Sequence, residues 1–430
     1  MSSHLRAASP PPAASTSLSL LDATIDRVRG DLHGTAAARE RDRASLQDAV
    51  RELADGGFGI VRVPREQGGI GGTLEDLFSR LTDLAAVDSN LAHVFRGHIG
   101  FVESLHVNDA DPPGGYADRW GRRLVEERLV FGNAQSERNA TASLRTSLSR
   151  HGDELALDGV KYYTTGSIYA DWIQLSALPP DGDGTASVLV DARQSGVESV
   201  DDWDGFGQIL TGSGTTRFTA ARVDPRDVRE EADEGASAYV AAVFQLVLLA
   251  ILAGIAESAL ADTIAFVRQK RRIFGFAGET LARDDDLVQL VIGRLSANAH
   301  AARSLVLTEA RSLDSARRTA AGTADEADRE RILRDALLGV FRLQQVVPQL
   351  VLEATTELFE VGGASAVGSG FALDRHWRNA RTVFSHNPAL QRQRTVGEYE
   401  VNGTFTPWRR PQPQGDGPAR AASGDTEATS

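Results

Sequence analysis

One short segment near the end of the chain combines a histidine with polar neighbours and a proline. The residues Ser385-His386-Asn387-Pro388 close a basic, aromatic-rich stretch. Because proline biases the residue before it away from the α-helical conformation, we expect a helix to end at Asn387. His386 would then lie near a helix C-terminus, where an imidazole can be tuned for proton transfer near neutral pH. The alternative is a histidine with an ordinary structural role in the core or on the surface.

The motifs of several common catalytic sites are absent from the sequence. There is no G-x-x-x-x-G-K phosphate loop, no complete G-x-G-x-x-G opening a βα unit, no H-E-x-x-H and no G-x-S-x-G. The nine histidines are scattered without metal-ligand spacing, and the chain has no cysteine. These absences disfavour a metal enzyme, a triad hydrolase, a thiolate nucleophile and a nicotinamide site of the protein's own.

Length and charge restrict the class of protein further. A chain of 430 residues is too long for one ordinary core and indicates two or three structural units. A formal net charge of -13 disfavours nucleic acid as a partner. The N-terminus lacks the apolar core of a signal peptide. The longest apolar run, Ala241 to Ala256, is interrupted by Gln245 and is shorter than the roughly 20 residues of a membrane helix. We therefore expect a cytoplasmic protein.

The hydrophobic pattern changes twice along the chain. Apolar residues recur at helical spacing, then alternate with polar residues in short segments separated by Gly, Asp and Pro, and then return to helical spacing. In the last region we expect three long helices, the third kinked by Pro348: Ser237–Gln269, Asp285–Ala316 and Asp325–Val361. The predicted regions are a disordered N-terminus at 1–16, a helical domain at 17–128, a β domain at 129–232, a helical bundle at 233–403 and a tail at 404–430.

Four sequence segments carry a resemblance to a known superfamily. In chain order they are PREQGGIGG, FGNAQSERNAT, DGVKYYTTGSIYADW and RRIFGFAG. Their order resembles that in the acyl-CoA dehydrogenase superfamily, over roughly Leu18 to Gly403. The resemblance implies an α+β fold with an N-terminal helical domain, a middle antiparallel β-barrel domain and a C-terminal four-helix bundle. It also implies a homotetramer.

Further segments are most similar to the flavin-dependent monooxygenase branch of this superfamily, of the dibenzothiophene and dimethyl-sulfone monooxygenase type. They are FGNA, YTTGS followed by ADW, LTGSGTT, RHWRNAR and SHNP. Dehydrogenases need a carboxylate base, which in the family occupies one of two places. Here His386 and Asn387 stand at the first place, and Phe244 and Gln245 at the second. The missing carboxylate disfavours α,β-dehydrogenation.

The resemblance also implies residues of the site. His98 and His386 would support oxygen transfer and proton transfer, with Asn133 and Ser167 near the flavin ring. Alternatively, His98 is a buried, hydrogen-bonded histidine and Tyr163 a core aromatic of the sheet; His93 is interpreted as structural. Either Arg271 or Arg272 would reach the flavin phosphate of a neighbouring subunit. The implied cofactor-binding residues are Asn133, Ser136, Tyr163, Thr165, Ser167, Arg271, Phe274, Ala364, Ser365 and His386.

The predicted function is that of a two-component monooxygenase. A separate reductase would supply reduced FMN, with FAD as the alternative cofactor. Reduced flavin and O2 would give a C4a-hydroperoxide that transfers one oxygen to a small apolar substrate, with organosulfur compounds as the first candidates. Hydroxylation at nitrogen or carbon is an alternative, because a fold does not define a substrate. An FAD-dependent acyl-CoA dehydrogenase and a catalytically silent scaffold of the same fold are the other hypotheses.

Overall fold

The structure is a computed structural model. It describes residues 16–107, 114–138, 144–181, 184–230, 234–270 and 281–405. Most of the predicted disordered N-terminus at 1–16 and of the predicted tail at 404–430 lies outside the described residues.

The N-terminal part of the chain is helical. A capping box begins one of its helices, because the Thr73 hydroxyl accepts from the Asp76 N–H while the Asp76 carboxylate accepts from the Thr73 N–H. Asp88 caps the next helix by accepting from the N–H of Asn90 at 2.9 Å. The helices are α1 (Leu18–Leu32), α2 (Ala36–Asp42), α3 (Gln47–Asp55), α4 (Leu74–Val87), α5 (Ser89–Val94), α6 (Arg96–Leu105) and α7 (Tyr116–Glu127).

Eight strands follow: β1 (Phe131–Ala134), β2 (Ser147–His151), β3 (Glu154–Tyr162), β4 (Trp172–Ala177), β5 (Ala186–Asp191), β6 (Val197–Val200), β7 (Thr215–Val223) and β8 (Val228–Glu230). They form two four-stranded sheets, in the orders β1-β4-β5-β8 and β2-β3-β7-β6. Residues of both sheets, such as Leu157 and Val188, share one buried apolar cluster. The two sheets therefore pack against each other across a common core.

The predicted antiparallel β domain contains one parallel pair of strands. Strands β1 and β4 pair in parallel, with Phe131 opposite Trp172, whereas the other strand pairs are antiparallel. The chain between them first forms β2 and β3 of the other sheet, so a crossover connects β1 to β4. A parallel pair requires a long connection of this kind, and a hairpin cannot supply it.

The C-terminal part is a helical bundle. Its helices are α8 (Glu234–Gln269), α9 (Asp286–Ala321), α10 (Glu326–Leu343), α11 (Val347–Glu357), α12 (Asp374–Phe384) and α13 (Ala389–Asn402). The predicted kink at Pro348 is instead a complete break. The proline lies in the first turn of α11, where its missing N–H has no helical partner to lose.

Helix α8 is the central element of the molecule. It is long and apolar enough to cross a membrane, but 78% of its most apolar window is buried inside the protein, as in the core helix of a soluble protein. Its residues share the main apolar core with those of α4, α6, α9 and α10. Helix α8 thus contacts both helical regions and supports the candidate site residues.

Candidate active site

Strand β1 presents Asn133 to helix α6 at a close approach. A Cβ atom at Gly97 would lie 2.8 Å from the Cβ of Asn133, so only glycine fits at this crossing. Asn133 is 9% exposed, and its N–H donates to the Thr165 carbonyl at 3.3 Å. Its side-chain amide makes no hydrogen bond to the residues that the structure describes. The amide is therefore available to a ligand.

The turn after β3 places a buried hydroxyl beside this strand. Tyr163 and Gly166 have φ angles of 61° and 81°, and the Gly166 N–H donates to the Thr211 carbonyl at 2.9 Å. The turn directs Ser167, which is 3% exposed, against Gly132. The Ser167 Oγ atom is buried and has no hydrogen-bond partner among the described residues. A buried hydroxyl of this kind indicates a missing ligand or water.

Three hydroxyl groups connect this turn to a second segment. Thr165 Oγ1 and Ser213 Oγ are 2.8 Å apart, and Ser213 Oγ lies 2.7 Å from Thr211 Oγ1. Thr211 in turn donates to the Gln208 carbonyl at 2.9 Å. The Thr165 side chain is thus hydrogen-bonded within the protein. Its predicted contact with a cofactor stays a prediction, and the backbone of Thr165 would make it.

Amide side chains connect the two places at which the resemblance implies a dehydrogenase's base. Gln245 on α8 accepts through Oε1 from the side-chain amides of Asn387 and of Gln344, the latter at 2.9 Å. His386 follows the end of α12, as the adjacent Pro388 predicted. Three neutral amides therefore hold the segment that carries His386, and no carboxylate takes part in this network.

His386 is paired with a histidine that the sequence reasoning had treated as structural. The ring centroids of His93 and His386 are 6.3 Å apart, with an interplanar angle of 54°. His93 Nδ1 lies 2.9 Å from Oε1 of Gln208, whose Nε2 donates to the Ser89 hydroxyl at 2.8 Å. Gln208 Oε1 must therefore accept from His93 Nδ1–H. The buried Nε2 of His93 is left with a free lone pair among the described residues.

Both histidines are neutral at pH 7. Burial lowers the pKa of His93 to about 4, and the positive charge of Arg96 acts in the same direction. His386 is exposed in the single chain, while desolvation by the surrounding residues lowers its pKa below the usual value, with further contributions from Arg96 and His93. A neutral imidazole has one donor and one acceptor nitrogen, so the pair can hold or pass a proton.

His98 lies on α6, and both of its ring nitrogens contact main-chain groups. Its Nε2 lies 2.8 Å from the Gly59 carbonyl, and its Nδ1 accepts from the Phe131 N–H at 3.3 Å. The ring is 2% exposed, and burial lowers its pKa to about 4. Both nitrogens are engaged with main-chain groups, which favours the alternative of a buried, hydrogen-bonded histidine that positions β1. The predicted catalytic role of His98 stays a prediction.

Tyr163 and Ser136 border the site at the surface. Tyr163 is 47% exposed, so it is not a core aromatic of the sheet. Its ring contacts Trp203 edge-on at 6.0 Å, and the guanidinium of Arg138 lies 5.0 Å above it. Ser136 is half-buried, and its carbonyl accepts from the Tyr162 N–H at 2.8 Å. Their predicted contacts with a cofactor stay predictions.

The turn with Ala364 and Ser365 lies at the opposite end of α8. Its neighbour Gly362 packs against Phe266, and Lys270 donates to the Gly362 carbonyl at 3.3 Å. The Gln245 network that holds His386 is twenty-one positions away along α8, which is about 30 Å of helix. The two exposed residues and His386 therefore belong to different sites within one chain. Arg271, Arg272 and Phe274 lie outside the described residues.

A family model and proteins of known function match the chain. Residues 246–390 match the family described as "Acyl-CoA dehydrogenase, C-terminal domain". A dibenzothiophene monooxygenase from Mycolicibacterium goodii is 27% identical over 382 residues, which cover 85% of this chain and 90% of the relative. A probable FMNH2-dependent monooxygenase from Pseudomonas putida is 26% identical over 395 residues, 90% of this chain and 94% of the relative.

Solved structures are similar over most of the chain. FMN-bound TdsC from Paenibacillus sp. A11-2 has a TM-score of 0.79 at 25% identity, and the match covers 90% of this chain and 98% of that one. Butyryl-CoA dehydrogenase from Megasphaera elsdenii shares the fold, with a TM-score of 0.74 at 17% identity and coverage of 91% and 100%. The predicted fold class is thus confirmed. The chain is similar to the acyl-CoA dehydrogenase C-terminal domain over residues 246–390 and, over most of its length, to monooxygenases that include a probable FMNH2-dependent one.

Proposed function

We propose that the chain is the oxygenase component of a two-component, cytoplasmic monooxygenase that uses reduced FMN and O2. One observation carries the proposal: the neutral amides of Gln245, Asn387 and Gln344 hold the segment of His386, where the resemblance to dehydrogenases implies a carboxylate base. An enzyme without that base cannot remove an α proton from a thioester efficiently. Neutral hydrogen-bonding groups suit oxygen transfer.

Residues of this chain and of a neighbouring subunit would hold the flavin. Asn133 and Ser167 offer an amide and a buried hydroxyl without protein partners, which fits the polar edge of an isoalloxazine ring. Ser136, Tyr163 and Thr165 would line the approach to it. From a neighbouring subunit of a homotetramer, Ala364 and Ser365 would reach the same cofactor, together with Arg271 or Arg272 and Phe274. When bound, reduced FMN supplies the two electrons that reduce one oxygen atom to water while the other enters the substrate.

The histidine pair would donate and accept the protons of the reaction. Gln208 holds the His93 proton on Nδ1, so that Nε2 faces the site as an acceptor. His386, 6.3 Å away between ring centroids, can exchange a proton with His93 directly or through one water. Because both rings are neutral, they can donate an N–H to an oxygen atom without adding a full charge. A separate reductase would deliver reduced FMN, because the sequence has no nicotinamide fingerprint.

Replacement of His386 tests the proposal. The variant His386→Ala should bind FMN and remain folded but release hydrogen peroxide instead of an oxygenated product. Methyl phenyl sulfide is a suitable first probe, because organosulfur compounds are the predicted substrate class. The variant His151→Ala, at the exposed end of strand β2, is the matched control and should behave like the wild type. Unchanged product formation by His386→Ala would contradict the role given to this residue.

A further inference from the structure

Arg96, at the start of α6, is a buried arginine without an acidic partner. Four arginines of the described chain are less than one-tenth exposed, and Arg96, at 7%, is the most buried of them. The other three form ion pairs with carboxylates: Arg39 with Asp88, Arg62 with Glu103, and Arg375 with Asp262. No carboxylate in the described part of the chain forms an ion pair with Arg96. A buried charge without a partner is costly, so its retention requires a reason.

The contacts of Arg96 with the protein use only part of its guanidinium. Nε donates to the Phe244 carbonyl at 3.3 Å, and the guanidinium carbon lies 4.7 Å from the centroid of the Phe244 ring. The two terminal nitrogens make no hydrogen bond to the residues that the structure describes. Burial lowers the pKa of Arg96 to about 10, which still leaves the group positively charged at neutral pH. These terminal nitrogens therefore form a cationic fork with two free ends.

The fork lies among the candidate catalytic residues. The charge of Arg96 acts on both His93 and His386 and lowers the pKa of each. The next residue, Gly97, is the one that packs against Asn133. Arg96 thus adjoins the α6 contact with β1 at Gly97, and its guanidinium contacts Phe244, the residue before Gln245 of the network that holds His386.

We propose that Arg96 binds the anionic group of the substrate, so that the substrate is a small organic anion with a sulfinate or carboxylate group. This inference rests on the function proposed above and revises the predicted small apolar substrate. A planar guanidinium binds two oxygens of one anion in a bidentate manner, which a neutral sulfide cannot offer. The flavin ring itself is the other anionic group that could bind here. We favour the substrate because Arg96 and His93 are both on the helical side of the site, whereas the free Ser167 hydroxyl and Asn133 amide that suit the flavin belong to the β region.

A sulfinate suits this geometry chemically. Its two oxygens would bind the fork and leave the sulfur lone pair free to form the new S–O bond. The reaction balances as sulfinate, O2 and reduced FMN giving sulfonate, oxidised FMN and water. The O–O bond breaks, and the electrons and protons of the flavin leave with the second oxygen atom as water.

The test compares two probes of similar shape and different charge. Benzenesulfinate and methyl phenyl sulfoxide are titrated into protein loaded with oxidised FMN, with calorimetric detection, for the wild type, Arg96→Gln and Arg96→Lys. The exposed Arg331→Gln, on α10, removes the same charge outside the site and is the matched control. We expect the wild type and the control to prefer the sulfinate by roughly tenfold or more, as charge-assisted hydrogen bonds imply. Arg96→Gln should lose this preference and Arg96→Lys should keep part of it.

Several results would overturn the inference. The wild type could bind the two probes equally, or it could bind neither of them. Arg96→Gln could also keep the preference for the sulfinate. An affinity for FMN that falls in Arg96→Gln while the sulfinate preference persists would assign the fork to the flavin. Loss of the preference in Arg96→Gln without any oxygenation by the wild type would leave the anion site standing and refute the monooxygenase function instead.

Thermal unfolding distinguishes a binding residue from a structural one. If Arg96 serves a ligand, Arg96→Gln removes an unpaired buried charge, and the midpoint of unfolding without ligand should stay the same or rise. Benzenesulfinate should raise the midpoint of the wild type but not that of Arg96→Gln. A clear fall in the midpoint of ligand-free Arg96→Gln would show that Arg96 stabilises the fold through its contacts with Phe244.

Discussion

His93 and His386 lie with their ring centroids 6.3 Å apart, although almost 300 residues of sequence separate them. Gln208 holds the Nδ1 proton of His93, and the amides of Gln245 and Asn387 hold the segment of His386. The contacts that position the pair therefore come from both helical regions and from Gln208, in the segment between β6 and β7. A change in any of these supports should alter proton transfer before it alters the fold.

Replacing Gln208 should affect catalysis through the His93 tautomer. Gln208→Leu removes the acceptor at 2.9 Å from Nδ1, so the proton can move to Nε2 and the acceptor towards the site is lost. We expect the rate of oxygenation to fall roughly tenfold to a hundredfold, part of what general acid–base catalysis supplies. Product formed per reduced FMN consumed is the measurement. The control Ser89→Ala removes the other Gln208 contact and should have a smaller effect; equal effects would contradict the tautomer argument.

Replacing His98 should affect stability. His98→Ala leaves the Gly59 carbonyl and the Phe131 N–H without partners in a buried place. Each such group costs about 1–3 kcal/mol, so the free energy of unfolding should fall by several kcal/mol. Urea denaturation measures this change, and His98→Gln, which keeps a donor and an acceptor, should recover part of it. Full stability together with lost turnover would support the catalytic role that the sequence predicts for His98.

Two buried histidines predict a loss of stability in acid. Burial holds the pKa of His93 and of His98 at about 4, below the roughly 6.5 of an unfolded histidine. The unfolded state therefore takes up protons first as the pH falls. Their contribution is complete above about pH 6.5 and is lost progressively down to about pH 4, by at most about 1.4 kcal/mol for each histidine and pH unit.

Denaturation curves across this pH range test the sign of the effect. The free energy of unfolding of the wild type should fall between about pH 7 and pH 5. The slope should be smaller in His98→Gln, which has one titrating group fewer. A free energy that is constant or that rises over this range would show that the two histidines are not buried as neutral rings.

Adding one methyl group at Gly97 should separate α6 from β1. The new Cβ would meet the Asn133 Cβ at 2.8 Å and its backbone nitrogen at 3.0 Å, distances that the rigid backbone cannot accept. We expect Gly97→Ala to weaken FMN binding, measured by the quenching of flavin fluorescence. Gly293→Ala, in α9 with no atom within 4 Å of the new methyl, is the control and should stabilise its helix slightly. Normal FMN affinity in Gly97→Ala would remove Asn133 from the flavin site.

Some of the site could be predicted from the sequence because local rules govern it. Pro388 indicated the end of a helix beside His386, and the helix does end at Phe384. Gln245 was visible as a polar interruption of an apolar run, although its partners Asn387 and Gln344 were not. The order of the motifs indicated the superfamily, and the comparisons confirm it.

Other features depend on tertiary contacts that no local pattern encodes. The sequence does not distinguish Arg96 from the other arginines. Only the fold shows that none of the described carboxylates forms an ion pair with it. Strand alternation shows that β1 exists but does not name β4 as its parallel partner. The sequence does not show that the turn of Ser365 and the Gln245 network of His386 lie about 30 Å apart along α8, so that a shared cofactor would need a neighbouring subunit.

Stopped-flow mixing of the protein and reduced FMN with oxygenated buffer tests the central claim most directly. The account predicts that O2 is consumed well before the absorption band of oxidised flavin returns, and that this delay shortens in His386→Ala. The delay should be long compared with that of free reduced FMN measured in the same buffer. If the oxidised band returns at the rate of free flavin, while O2 disappears in step with it, the chain is not a flavin-dependent oxygenase.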